Sequence, residues 1–208
     1  MASHKFLQLR DFTGGVKPNA TYFVDRIKYD GVKGTPYMFE EFLPSILLTT
    51  DSGDYYLEQT NINLLSKNFE ILDKRQAFTF DNNQILLIDF KLKNRTSVKV
   101  RYISMLNEYV EILFDDDIKL LLAYDLEIKE PDYRPDLNIG SKLTTYNKEK
   151  FYYIWNGKTE FSPINNKRDA KKYLKENYPN KNVKMMLKPH SFKTQSDLIK
   201  LVEDINSL

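Results

Sequence analysis

From Ser45 to Trp155 the chain repeats one device: a short apolar or alternating run, closed by a cluster of turn residues. The clusters are Asp51-Ser52-Gly53-Asp54, Asp73-Lys74-Arg75, Asp81-Asn82-Asn83, Lys93-Asn94-Arg95, Asp115-Asp116-Asp117 and Asn156-Gly157. Most of these residue types bond their own backbone or tolerate positive φ, so they close hairpins. The runs between them are short and carry the period-two alternation of strands. The fold class that follows is mainly β (α+β), an antiparallel meander or barrel-like sheet of about seven to nine strands. Two or three C-terminal helices are expected to pack on it.

Individual strands can be read. Ile118, Leu120, Leu122, Tyr124, Leu126 and Ile128 alternate with Lys119, Asp125, Glu127 and Lys129, which predicts one buried face and one largely wet face. Its hairpin partner is Tyr109 to Phe114, because the three aspartates between them are too polar for a buried segment. Val98, Val100 and Tyr102 mark the strand before. The run Ile85-Leu86-Leu87-Ile88 is apolar on both faces, so a central position with a covered second face is expected.

The pattern divides into three parts of one main domain. Residues 1–44 are loop-rich, with Gly14-Gly15, Pro18, Gly31, Gly34 and Pro36 around a short strand near Thr21 to Ile27. Residues 45–161 form the antiparallel β domain, and residues 162–208 form a helical tail packed on the sheet. Asn165 or Asn166 caps a helix that runs to Tyr178, where Pro179 stops it. Ser196 is expected to cap the last helix, whose stripe of Leu198, Leu201, Val202 and Ile205 seeks the sheet.

Charge and composition narrow the function classes. Lys and Arg total 31 against 29 Asp and Glu, so no global field marks a nucleic-acid or membrane binder. The basic character is local: ten of those cations, against five acids, lie after Asn165. With no cysteine there is no disulfide, thiolate zinc site or cysteine nucleophile. No run approaches the roughly 18 apolar residues of a helical membrane span, so the chain is not expected to be membrane-inserted. Met1-Ala2-Ser3-His4-Lys5 precedes no hydrophobic signal core. That start fits a periplasmic or secreted protein whose signal peptide has been removed, and otherwise a cytoplasmic one.

Catalytic motifs are missing where they would be sought. His4 and His190 stand without a His or Glu at metal-ligand spacing, there is no Gly-x-Ser-x-Gly elbow, and residues 13–17 lack the ending of a phosphate loop. No metal, cofactor or catalytic residue is assigned. Asp115-Asp116-Asp117 lacks the alternate spacing of a calcium loop and reads as a solvated turn. A pair of acids for glycoside hydrolysis, drawn from Glu108, Glu111, Asp125 or Glu127, cannot be selected from spacing. The lysine-rich tail, from Lys167 and Arg168 to Lys188, reads first as a solvated helix face and only second as a phosphate or anionic-surface site.

The aromatic segment Phe151-Tyr152-Tyr153-Ile154-Trp155 is different, because it carries large groups on both faces of one strand. Either the tail covers its second face, or some of Tyr152, Tyr153 and Trp155 form a platform for a protein, peptide or sugar. Tyr55 and Tyr56 raise the same question beside a turn.

The segment Gly31-Val32-Lys33-Gly34-Thr35-Pro36-Tyr37-Met38-Phe39, the strands after it and the closing helix from Asp197 to Leu208 resemble a group of small β-rich envelope proteins of Bacteroidota. The resemblance implies a β-rich fold and an exported protein, and it transfers no catalytic residue. The expectation is a non-enzymatic binding or accessory module of the cell envelope or secreted fraction, with a protein as its partner, a sugar or peptide as the next choice and nucleic acid not expected. The alternatives are a carboxylate-dependent hydrolase of polysaccharide or cell-wall material, and binding of nucleic acid or an anionic surface through the basic tail.

Overall fold

A computed structural model describes residues 5–6, 20–23, 32–50, 54–73, 76–94, 96–157 and 161–207. His4, the glycine-bearing stretch 13–17, Pro18, Gly31 and turn residues 51–53, 74–75 and 95 lie outside the described residues. Thirteen strands and three α-helices are found among those described. The strands are β1 (Lys5–Phe6), β2 (Ala20–Phe23), β3 (Val32–Lys33), β4 (Leu43–Thr49), β5 (Asp54–Asn63), β6 (Asn68–Asp73), β7 (Gln76–Thr79), β8 (Ile85–Lys91), β9 (Ser97–Ile103), β10 (Glu108–Phe114), β11 (Lys119–Lys129), β12 (Thr144–Trp155) and β13 (Phe161–Pro163). The helices are α1 (Lys167–Asn177), α2 (Val183–Met186) and α3 (Gln195–Asn206). The fold is mainly β with C-terminal helices, as the alternation predicts. The chain divides into two compact units, Met1–Tyr109 with Tyr124–Glu149, and Val110–Ala123 with Lys150–Leu208.

In the first unit the strand order is β9-β8-β4-β5-β6-β7-β2. This is an open path, because among the described residues its end strands do not pair with one another, and the barrel-like option gives way to an open sheet. The sequential order is broken twice, where β8 returns to pair with β4 instead of β7 and where β7 takes β2 as its other neighbour. Leu43, Leu47, Leu57, Ile62, Phe69, Ile88, Phe90 and Val100 fill one core, each at most 6% exposed. Removing such aliphatic and aromatic groups from water contributes about 1.5–3 kcal/mol apiece.

Strand β8 occupies the expected interior position, between β4 and β9. Its second face is not sealed, however, and Leu86 is 44% exposed. The reason is a register shift against β4: Leu48 faces Leu87 and Thr49 faces Ile85, which leaves Leu86 as the extra residue of a bulge.

Buried polar groups in this unit are satisfied by the chain that wraps it. Asn61 donates to the carbonyls of Phe39 and Glu41 and accepts from Phe39 N. Glu70, fully buried, accepts from Tyr37 Oη at 3.0 Å and Asn63 Nδ2 at 2.9 Å. Lys148 Nζ donates to the carbonyl of Tyr37 at 2.9 Å and pairs with Glu40, tying the same segment down.

In the second unit β10 and β11 form the expected hairpin, and β12 pairs with β13. Leu120 to Ala123 are buried on both faces, where alternation alone predicts one wet face. Leu120, Ile154 and Ile164 join Ala170, Tyr173, Leu174, Val183, Leu187, Leu198, Leu201, Val202 and Ile205 in a core. The helices therefore pack on these strands. Asn206 fastens the end of α3, accepting from Ile118 N at 2.8 Å and donating to Ile118 O at 2.9 Å.

Asn166 caps α1 through the backbone N–H groups of Arg168 and Asp169, as predicted. The cap of α3 is Thr194, not Ser196: Thr194 and Asp197 form a reciprocal capping box, which fixes the start two residues earlier. His190 does lie between helices but is buried, 8% exposed, with Nε2 3.0 Å from Asp204 Oδ2.

Candidate functional site

Between β11 and β12 the first unit extrudes an arch, residues 130–143, in which Tyr133 alone is not exposed. With little to bury, it is ordered by its own bonds. Asp132 N donates to Ser141 O at 3.0 Å and Arg134 N to Ile139 O at 2.8 Å, so the arch begins as a hairpin. Arg134-Pro135-Asp136-Leu137 then closes it with a bond from Leu137 N to Arg134 O; proline suits the second place of such a turn because its φ is already set. Asn138 follows at φ 50 and Gly140 at φ 90, residue types that tolerate the left-handed region.

Side chains reinforce the frame. Asp132 Oδ1 accepts from Ser141 N at 2.6 Å, Tyr133 Oη donates to Asn138 Oδ1 at 2.9 Å, and Lys142 Nζ lies 4.2 Å from the centre of the Tyr133 ring. On this frame Leu137 is 56% exposed, Ile139 55% and Leu143 41%. Ile128, 37% exposed, stands near the end of β11. Among the described residues, half of the eight exposed large hydrophobics thus fall in residues 128–143. The formal charge of the arch is nearly balanced, Glu130, Asp132 and Asp136 against Arg134 and Lys142, so its distinguishing surface is apolar.

The aromatic residues singled out in the sequence are distributed otherwise. Ile154 is buried and Tyr152 packs beside it against the helical core. Burial, and then the nearby Glu111 carboxylate, push the Tyr152 phenol above its ordinary pKa. Tyr153 and Trp155 alternate to the opposite face of β12 and are half-buried. Trp155 stacks on Phe161 of β13 with ring centres 5.5 Å apart and planes 17° from parallel. Tyr55 and Tyr56, also half-buried, take opposite faces of β5. Tyr55 packs on the first core, and Tyr56 sits across from Ile46. The structure therefore brings Trp155 and Phe161 together, and it sets Tyr55 and Tyr56 on different surfaces.

The acidic candidates are placed in turns and pairs. Asp115 meets Lys119, and Asp116 Oδ1 accepts from Asp117 N, closing the exposed hairpin tip. Glu108 lines a shallow depression with Ile62, Leu64, Lys67, Tyr109 and Tyr124, where its carboxylate is 3.4 Å from Lys67 Nζ. That depression holds one carboxylate. Tyr109 donates to Asn82 Oδ1 at 2.7 Å, and burial pushes its phenol far above the ordinary range. Among the described residues no group of three His, Asp or Glu could hold a metal ion.

The sequence signal of the arch is Arg134-Pro135-Asp136-Leu137-Asn138-Ile139-Gly140, a turn sequence with aliphatics where polar tips are usual and no alternation to mark it. No family model, no curated protein and no solved structure matches the chain.

Proposed function

We propose that this protein is a binding module that docks a protein partner on the 130–143 arch. The observation that carries the reading is the exposure of Leu137, Ile139 and Leu143 on a loop whose backbone is already fixed by hydrogen bonds. A loop ordered in advance loses little entropy on docking, so its apolar contacts contribute directly to affinity. Covering the exposed halves of three aliphatic side chains contributes about 3 kcal/mol. Balanced charge on the arch favours an apolar pocket with a polar rim over a strongly charged surface. The module is placed in the envelope or secreted fraction, in line with the resemblance of its sequence.

The test is site-directed photocrosslinking in native extract, with a photoreactive residue at 137 or 139 and, as the comparison, at Leu65, which is equally exposed at 56%. One discrete adduct from 137 and 139 that is absent from 65, and lost when Leu143 is changed to Ser, is the expected result. The same adducts from all three positions, or none from the arch, contradict the proposal.

A further inference from the structure

The outer face of α1 carries Lys167, Arg168, Lys171, Lys172 and Lys175, all exposed, and none forms an ion pair among the described residues. At about 100° per residue these five fall within one arc of the helix, while Ala170, Tyr173 and Leu174 point into the core. Lys167 with Lys171, Arg168 with Lys172, and Lys171 with Lys175 are like charges one turn apart, an arrangement that opposes helix formation. Lys167 and Arg168 also stand in the first turn, where the helix dipole disfavours cations. Asp169, the one acid of that turn, is occupied by Asn165 N and Asn166 Nδ2. Lys181, Lys184 and Lys188 follow on the exposed chain around α2, and from 167 to 188 the other acid is Glu176. Lys175, in the last turn, suits the helix dipole, but the rest of this concentration of charge works against the helix that bears it.

From this we infer that α1 binds the phosphodiester backbone of nucleic acid. A membrane surface suits it less, because a helix that lies in a bilayer interface inserts its apolar stripe, and here that stripe is buried in the unit's own core. A helix about 10–12 Å wide with a cationic outer face matches the major groove, about 12 Å wide. Contacts from Lys and Arg to phosphate oxygens carry no base information, so the affinity they supply is independent of sequence. The proposal concerns α1 and does not rest on the arch.

The experiment is fluorescence anisotropy of a labelled mixed-sequence duplex against the full chain, from 50 to 300 mM salt. Five phosphate contacts predict a slope of log K against log salt of about −4.5, and changing Lys167, Lys171 and Lys175 to Gln reduces its magnitude by about 2.7. Glutamine keeps helix propensity and removes the repulsion, so this variant folds. Changing Lys67 and Lys93 of the first unit to Gln leaves the slope unaltered. Absence of duplex binding at 50 mM salt overturns the inference, as does a slope that the triple variant does not change. Binding to phosphatidylserine vesicles without binding to duplex also overturns it.

Discussion

The arch and the last helix use the same kinds of residue in opposite ways. In α3, Leu198, Leu201, Val202 and Ile205 are 0–4% exposed and hold the second unit together. On the arch, Leu137, Ile139 and Leu143 are 41–56% exposed, and hydrogen bonds hold the chain instead. Helix α3 exchanges its apolar stripe for stability. The arch keeps its aliphatics available while its turn chemistry supplies the order. Residue type therefore does not decide whether an aliphatic side chain stabilises a fold or stands exposed; what surrounds it decides.

The contrast predicts unequal effects of mutation. Leu201→Ala, which opens a cavity in the helical core, is expected to destabilise the second unit by about 2–5 kcal/mol in equilibrium urea unfolding. A loss below about 1 kcal/mol would show that the helices are not secured by this stripe.

A smaller and more local effect is expected at Gly140, where φ is 90° and a Cβ would stand 2.5 Å from the carbonyl oxygen of Asp132. Strain of about 1–3 kcal/mol from Gly140→Ala falls on the arch alone. The amide of Ser141, which bonds to Asp132 Oδ1, then exchanges with solvent about 10- to 100-fold faster, and the urea midpoint falls by no more than this strain accounts for. Unchanged exchange would mean that the arch frame does not depend on this turn.

The smallest effect is one of pH. Hydrogen bonds from Ser191 and Thr194, foremost among its contacts, hold the Asp197 carboxyl at a pKa of about 2, against an ordinary value of 3.8. The depressed value means that the stabilisation is whole above about pH 4 and is lost as the pH falls towards 2. Circular dichroism should show α3 loosening in that window, and Asp197→Asn should remove the dependence there. Loosening that begins near neutral pH would point to another group.

How far the sequence foretold these features depended on whether they were local. The hairpin from Tyr109 through Asp117, the cap at Asn166 and the apolar stripe of α3 rest on periodicity and capping chemistry that neighbouring residues carry. The pairing of β8 with β4 joins strands separated by the whole of β5 to β7, and nothing in the local pattern fixes such a partner. The bulge at Leu86 and the burial of His190 against Asp204 likewise depend on tertiary neighbours. Thr194 was legible in principle, since Thr-x-x-Asp is a capping-box pattern, but the nearer Ser196 competes for the same role. At the candidate site the turn residues were readable, whereas the exposure of Leu137 and Ile139 was not, because alternation marks an aliphatic residue as buried until the covering layer is known.

The most direct test of the account is the equilibrium stability of a variant in which Leu137, Ile139 and Leu143 are all changed to Ser, followed by circular dichroism in urea. A change within about 0.5 kcal/mol is expected, as for surface substitutions, because these side chains are exposed and belong to neither core. A loss of about 2 kcal/mol or more would place them in a core of the protein and contradict it.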